Sequence, residues 1–282
     1  MTNASVYFKT AREREAIRRR RLAGDPQPWT NNRIFREWRF CNVHRENDRT
    51  TIWFRDNIRS KVSGLRAVEA TMAFRWFNRI ETAERILDLL IDGWDGHEAY
   101  RRLQGVNPVV TGAYMMNTPP GFGKLEGVIR CIDMALPHLP KLVERWGESL
   151  EAAFEDLLTI DRVGRFVGYE IVTDLRWTDV LRNATDIMTW ANAGPGCARG
   201  LGFVDVGEMA TYAYGSKSDQ AKMLPMMREL LEMSRDPENW PYADQPWEMR
   251  EVEHWLCECA KYVSALQGNR LKRRFKVGGG LL

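Results

Sequence analysis

Apolar residues recur at intervals of three and four along most of this chain, the period of a helix with one face in a core. In AVEATMAFRWFNRIETAERILDLLI, from Ala67 to Ile91, apolar residues repeat at three and four, which predicts helix. In PWEMREVEHWLCECAKYVSALQG, Val252, Trp255, Leu256, Cys259, Val263 and Leu266 share one stripe, and the pattern stops at Gly268. Strand-like alternation is scarce. The turn clusters DGWDG, NTPPGFG, LPHLP, NAGPG and DPENWP separate about a dozen helical segments, with no internal repeat or low-complexity linker. The expected fold is all-α, a compact two-lobed helical protein.

In LLTIDRVGRFVGYEIVTDL a helix ends, the chain turns tightly through Val163 and Gly164, and a second helix starts near Arg165. Such a turn can be a helix-hairpin-helix that offers backbone N–H groups to a DNA phosphate, or a plain corner between two helices. The spacing alone leaves both open.

Composition bounds the rest. The chain has 282 residues, 44% of them hydrophobic and 28% charged, enough to bury a substantial core. Its five cysteines form no CxxC pair, and the start MTNASVYFKTAREREAIRRRR lacks the apolar centre of a signal peptide, so a cytoplasmic location is expected. No apolar run is long enough to span a bilayer, and no membrane partner is expected. The net charge of +3 is modest, but AREREAIRRRR and GNRLKRRFK are basic blocks. They read as solvated ends or as tracks for phosphates, with residues 1–30 a basic N-terminal arm and 31–282 the body. Four scattered histidines give no metal-ligand spacing, so neither metal nor cofactor is expected.

From Ile160 onward the sequence resembles the helix-hairpin-helix DNA glycosylases, with TDIMTWANAGPGCARGLG standing where those enzymes carry a catalytic aspartate and a basic helix. Two departures are Arg162 at the position of the first hairpin glycine and Phe166 at that of the lyase lysine. Taken together, REWRFCNVHRENDRTT, TGAYMMNTPPGFGKLEGV, DRVGRFVGYEIVTDLRW, ANAGPGCARGLG and EVEHWLCECAKYV resemble the α-glutamyl/putrescinyl thymine pyrophosphorylases of bacteriophages. The resemblance implies a glycosylase-like fold and a transferase acting on double-stranded DNA. There, the amine of an amino acid or polyamine would replace pyrophosphate on pyrophosphorylated 5-hydroxymethyluracil, made by a separate DNA kinase. A related helical domain accompanies the hydroxymethyluracil DNA kinases, but this chain carries no GxxxxGK[ST] loop. The alternatives are a DNA glycosylase, or a noncatalytic DNA-binding module that partners such a kinase.

That resemblance gives roles to particular residues. FREWRFCNVHRENDRTT packs four arginines into one short stretch. Arg39, Arg45 and Arg49 are expected on the pyrophosphate, since a leaving group of high charge needs preorganised cations. Asn42 and Asp48 would orient them, while Arg36 and Arg199 would touch flanking phosphates; a structural ion-pair network is the competing reading. Asp186 is expected to accept a proton from the amine, or else to cap a helix from Ile187. Tyr114 and Asn117 would read an extruded base. His254, Glu258 and Lys261, at helical spacing, would bind the amine donor or form a surface ladder. Gly164 and Arg165 would meet the DNA backbone. Cys41 or Cys257 as a covalent nucleophile ranks below simple burial.

Overall fold

The computed structural model describes residues 1–112 and 117–275. Among these residues the protein is all-helical, without a β-strand; Trp38 and Arg274 form one isolated bridge. The helices are α1 (Ala4–Leu22), α2 (Arg33–Glu37), α3 (Arg49–Asn57), α4 (Gly64–Phe77), α5 (Ile80–Ala83), α6 (Leu87–Ile91) and α7 (Gly96–Leu103). They continue with α8 (Lys124–Ala135), α9 (Leu139–Val143), α10 (Leu150–Leu157), α11 (Arg165–Leu175), α12 (Pro195–Val206), α13 (Lys217–Met233) and α14 (Met249–Leu266). No described helix is long and apolar enough to cross a membrane. The chain divides into two compact units, one of residues 1–49 and 188–282, the other of 50–187.

The first unit is built around α14. A capping box between Glu248 and Glu251 satisfies its first N–H groups. Val252, Trp255, Leu256, Cys259 and Val263 are buried as their stripe requires, each large one contributing about 1.5–3 kcal/mol. Leu266 departs from the stripe and is exposed, because it lies in the last turn. Against this helix lies α12, whose glycines permit close contact: a Cβ on Gly200 would collide with the carbonyl oxygen of Leu256. Gly207, at a left-handed φ of 89°, ends α12.

Residues 1–30, expected as a basic arm, include α1, whose Tyr7, Phe8 and Ala11 are fully buried. Tyr7 and Phe8 meet the Trp247 ring at 5.7 and 5.6 Å between centroids, and the Trp255 indole N–H donates to the Tyr7 carbonyl at 3.1 Å. Much of the positive charge on α1 is paired, Arg18 with Glu15 and Arg19 with Glu15 and Asp244.

The second unit centres on α4, which packs against α11, α6, α8 and α9. The helical pattern from Ala67 to Ile91 is divided at Asn78, which takes a left-handed φ of 44° and ends α4. Apolar spacing continues past that residue, but Asn is one of the few side chains that tolerates such a turn. A fully buried pair ties α4 to α11: Arg75 donates through Nε and Nη2 to both Asp174 oxygens and through Nη1 to Asn78.

Candidate functional site

In the first unit, a short helix and an extended strip shape a pocket. Asn32 caps α2, its Oδ1 accepting from the Ile34 N–H at 3.0 Å, while its amide donates to the Tyr262 hydroxyl on α14 at 2.9 Å. After α2 the backbone extends and is held by the C-terminal segment: Arg39 N–H donates to the Arg273 carbonyl at 3.1 Å, and Phe275 N–H to Glu37 at 2.9 Å. The resulting cavity of about 320 Å³ has Trp29, Phe35, Trp38, Phe40 and Phe275 as aromatic walls. Arg14, Arg21 and Arg36 add positive charge, and the Arg21 guanidinium lies 5.0 Å over the Trp29 ring.

Arg14 is the unusual member. It is only 4% exposed, and burial lowers its pKa against the opposing pull of Asp48 and Cys41. Its Nη2 makes one long hydrogen bond, 3.4 Å, to the Phe40 carbonyl, and its buried Nη1 has no hydrogen-bond partner. A buried donor left this way costs about 1–3 kcal/mol, so the fold retains a cation that water does not solvate.

Beside the pocket lies a polar cluster. Cys41 N–H donates to Glu258 Oε2 at 2.9 Å, and Lys261 Nζ donates to both Glu258 oxygens at 2.9 and 2.8 Å. The Lys261 ammonium stands 5.2 Å from the centre of the Phe40 ring, which links the cluster to the pocket wall. Asp48 Oδ1 accepts from the Asn42 backbone N–H at 3.1 Å and from its side-chain amide at 2.9 Å, and His254 Nε2 lies 3.1 Å from the Asn42 carbonyl. Burial, partly offset by Asn42, raises the Asp48 pKa. Burial and Arg250 push His254 down to about 3, so its imidazole is neutral. For Glu258 burial acts upward but is outweighed by the Lys261 charge and by the hydrogen bonds from Lys261 and the Cys41 N–H, which hold its pKa below the ordinary value. Burial and the Glu258 and Asp48 carboxylates raise the Cys41 thiol well above its ordinary value, and burial raises Cys257 to about 12; neither is primed as a nucleophile.

The structure thus brings Asn42, Asp48, His254, Glu258 and Lys261 together, with Arg45 close enough to act electrostatically on Asp48 and His254. Arg45 is buried, Arg39 and Arg49 are exposed, and Arg36 is an exposed side of the pocket. Arg199 is exposed on α12, near Met209. In the second unit, Asp186 accepts from Ser149 Oγ at 2.8 Å, Leu150 N–H at 2.8 Å and Glu151 N–H at 2.9 Å. It therefore caps α10; no helix begins at Ile187, where the sequence suggested one to be capped. Gly164 precedes α11 with extended backbone, and Arg162, at the usual place of a hairpin glycine, takes a left-handed φ of 66°. Gly164 and Arg165 are exposed, as is Asn117, while Tyr114 lies outside the described residues.

Sequence reasoning missed Arg14, Arg21, Trp29 and Trp38. Arg14 had a readable signal, because Tyr7, Ala11 and Arg14 follow the spacing of a buried helical stripe. The sequence also shows no metal-ligand motif, yet a Cys41 sulfur, an Asp48 oxygen and a His254 nitrogen all lie within 4.8 Å of one another.

Comparison with known proteins adds two findings. The family described as the helical domain of 5-hmdU DNA kinase matches residues 2–270. A 5-hmdU DNA kinase of Bacillus phage SP10 is 27% identical over 293 aligned residues, taking in 92% of this chain and 44% of that protein. The chain therefore spans less than half the length of that curated relative. The matching family is thus that of the kinase helical domain, whereas the sequence blocks suggested the pyrophosphorylases. No solved structure matches.

Proposed function

The chain belongs to the family of 5-hmdU DNA kinase helical domains, and from that premise we propose that it acts on DNA containing 5-substituted uracil, holding one extruded base in the aromatic pocket. The reaction we assign to it is replacement of pyrophosphate on the C5 methylene by an amine. The observation that carries this reading is Arg14, a buried guanidinium with an unpartnered Nη1 on the wall of a pocket lined by Trp29, Phe35 and Trp38. Aromatic faces suit a stacked base, and a desolvated cation suits an anionic substituent. At about 320 Å³ the cavity is at the small end of ligand pockets, fit for one base and its substituent.

In this reading the amine nitrogen attacks the methylene carbon, the carbon–oxygen bond breaks, and its electron pair leaves on pyrophosphate. Arg14 meets the charge that develops, with Arg21 and Arg36 nearer the rim. The amine must also lose a proton. Asp186 belongs to the other unit and caps α10, so among the carboxylates beside the pocket we assign the proton acceptor to Glu258, whose partner Lys261 lies over the pocket residue Phe40. The hairpin at Gly164 would position DNA by a phosphate; a Cβ added there meets nothing within 4 Å, so the position has room for a substitution.

A second reading is a noncatalytic DNA-binding domain that serves a kinase, favoured by the description of the matching family. Nucleoside masses separate the two. DNA with pyrophosphorylated 5-hydroxymethyluracil is incubated with the protein and a mixture of glycine, serine, glutamate and putrescine, then digested. Transfer yields an amine-substituted thymine with free pyrophosphate. Unchanged nucleosides despite tight DNA binding would overturn the transferase and leave the binding domain.

A further inference from the structure

The polar cluster contains three side chains of metal-ligand type from distant parts of the chain. Cys41 and Asp48 come from the segment after α2, and His254 from α14. One ligand atom of each, a sulfur, a carboxylate oxygen and a ring nitrogen, lies within 4.8 Å of the other two. Each residue is held by a second contact that leaves a donor atom over. His254 Nε2 lies 3.1 Å from the Asn42 carbonyl; if it carries the ring proton it donates there and leaves Nδ1 as a bare acceptor, the arrangement by which an outer partner fixes a liganding imidazole. Asp48 is anchored through Oδ1 by the two Asn42 donors, which leaves Oδ2. The Cys41 backbone is fixed by Glu258, a contact that does not involve its sulfur.

A fourth observation is independent of these. Asn42, 1% exposed, donates through Nδ2 to Asn47 and Asp48, yet its buried Oδ1 has no hydrogen-bond partner. A buried carbonyl oxygen without a donor, next to Asp48, is the kind of atom that a cation or its bound water would satisfy.

We propose that Cys41, Asp48 and His254 form a three-ligand site for Zn²⁺ or a similar borderline divalent cation, with its fourth position open to water or to a ligand oxygen. The mixed sulfur, nitrogen and oxygen set selects such an ion over Mg²⁺ or Ca²⁺, which take oxygen ligands. Bond lengths of about 2.0–2.3 Å place tetrahedral ligand atoms roughly 3.3–3.8 Å apart, so from separations within 4.8 Å no pair needs to close by more than about 1.5 Å, within reach of side-chain rotation. Binding displaces the Cys41 thiol proton to solvent, so uptake releases a proton. The site stands whichever reaction the neighbouring pocket serves.

Direct metal binding tests this without reference to activity. The full chain, stripped with a chelator, is titrated with Zn²⁺ against a chromophoric competitor and separately with Co²⁺. One ion per chain and a cobalt–thiolate charge-transfer band are expected. Cys41→Ser should abolish the band, and His254→Gln should weaken affinity by more than the roughly 10–100-fold typical of losing an outer partner. Cys257→Ser should keep both stoichiometry and band. As a check that needs no substitution, Zn²⁺ should slow alkylation of Cys41 in the unaltered chain, read by peptide mass. Failure to retain a stoichiometric ion, a cobalt band that survives Cys41→Ser, or alkylation of Cys41 that ignores Zn²⁺ would each overturn the site.

Discussion

Arg14→Met separates a residue kept for binding from one kept for folding. The substitution preserves the long apolar stem on the buried face of α1 and removes the guanidinium. In the folded protein that group leaves Nη1 without a partner and makes one 3.4 Å hydrogen bond through Nη2. Removing it relieves a desolvation cost of about 1–3 kcal/mol and forfeits a weak bond of at most about 1 kcal/mol, together with part of the attraction to Asp48. The variant should therefore range from equally stable to about 2 kcal/mol more stable. Pyrophosphate behaves oppositely. A charge-assisted contact of about 1.5–3 kcal/mol corresponds to roughly 10- to 10²-fold in affinity. At a concentration 100 times its dissociation constant for the parent, pyrophosphate should add about 2.7 kcal/mol to the parent but only about 0.4–1.4 kcal/mol to the variant. Urea unfolding followed by tryptophan fluorescence, with and without pyrophosphate, measures all four states. A loss of more than about 3 kcal/mol in the ligand-free variant would make Arg14 a structural residue. Equal stabilisation of both proteins by pyrophosphate would remove it from the anion site.

Other outcomes are specific to single contacts. Asp174→Asn strands the buried Arg75 guanidinium and should cost about 3–5 kcal/mol by chemical denaturation, whereas Arg75→Met with Asp174→Leu should recover most of that loss. Gly200→Ala forces a Cβ into the Leu256 carbonyl and should lower stability by about 1–3 kcal/mol or more, seen as an earlier thermal transition. Asp186→Asn weakens the cap of α10 by about 1 kcal/mol, and with Glu258 as proton acceptor amine transfer should continue near the parental rate. Gly164→Leu should fold normally and weaken binding to modified and unmodified DNA alike in a salt titration.

What could be read from the sequence follows the range of the forces involved. The α14 stripe and its stop at Gly268 are local patterns and were legible, as was the start of α11 after Gly164. The break at Asn78 was not, because apolar spacing on both sides is indifferent to one left-handed residue. Charge hid α1: its arginines suggested a solvated arm, although Tyr7, Ala11 and Arg14 mark a buried face. Within the site, Glu258 and Lys261 were visible as helical neighbours. Their meeting with Cys41, and that of His254 with Asn42 across 212 residues, depends on packing that no spacing rule encodes. Of the arginines from Arg36 to Arg49 only Arg36 lines the pocket, while its most deeply held cation came from α1.

The segment that pins the extended strip after α2 also sets how this pocket can be altered. Phe275 closes one wall and meets Trp29 at 6.3 Å, edge to face, yet it lies beyond residue 270, where the family match ends. It is attached through backbone hydrogen bonds, Arg39 to Arg273 and Phe275 to Glu37, which most side chains at those positions would preserve. Exchange of residues 271–275 therefore offers an interchangeable gauge for the occupant: a smaller residue at 275 widens the chamber and an acidic one repels anions, while the helical frame and Arg14 stay as they are.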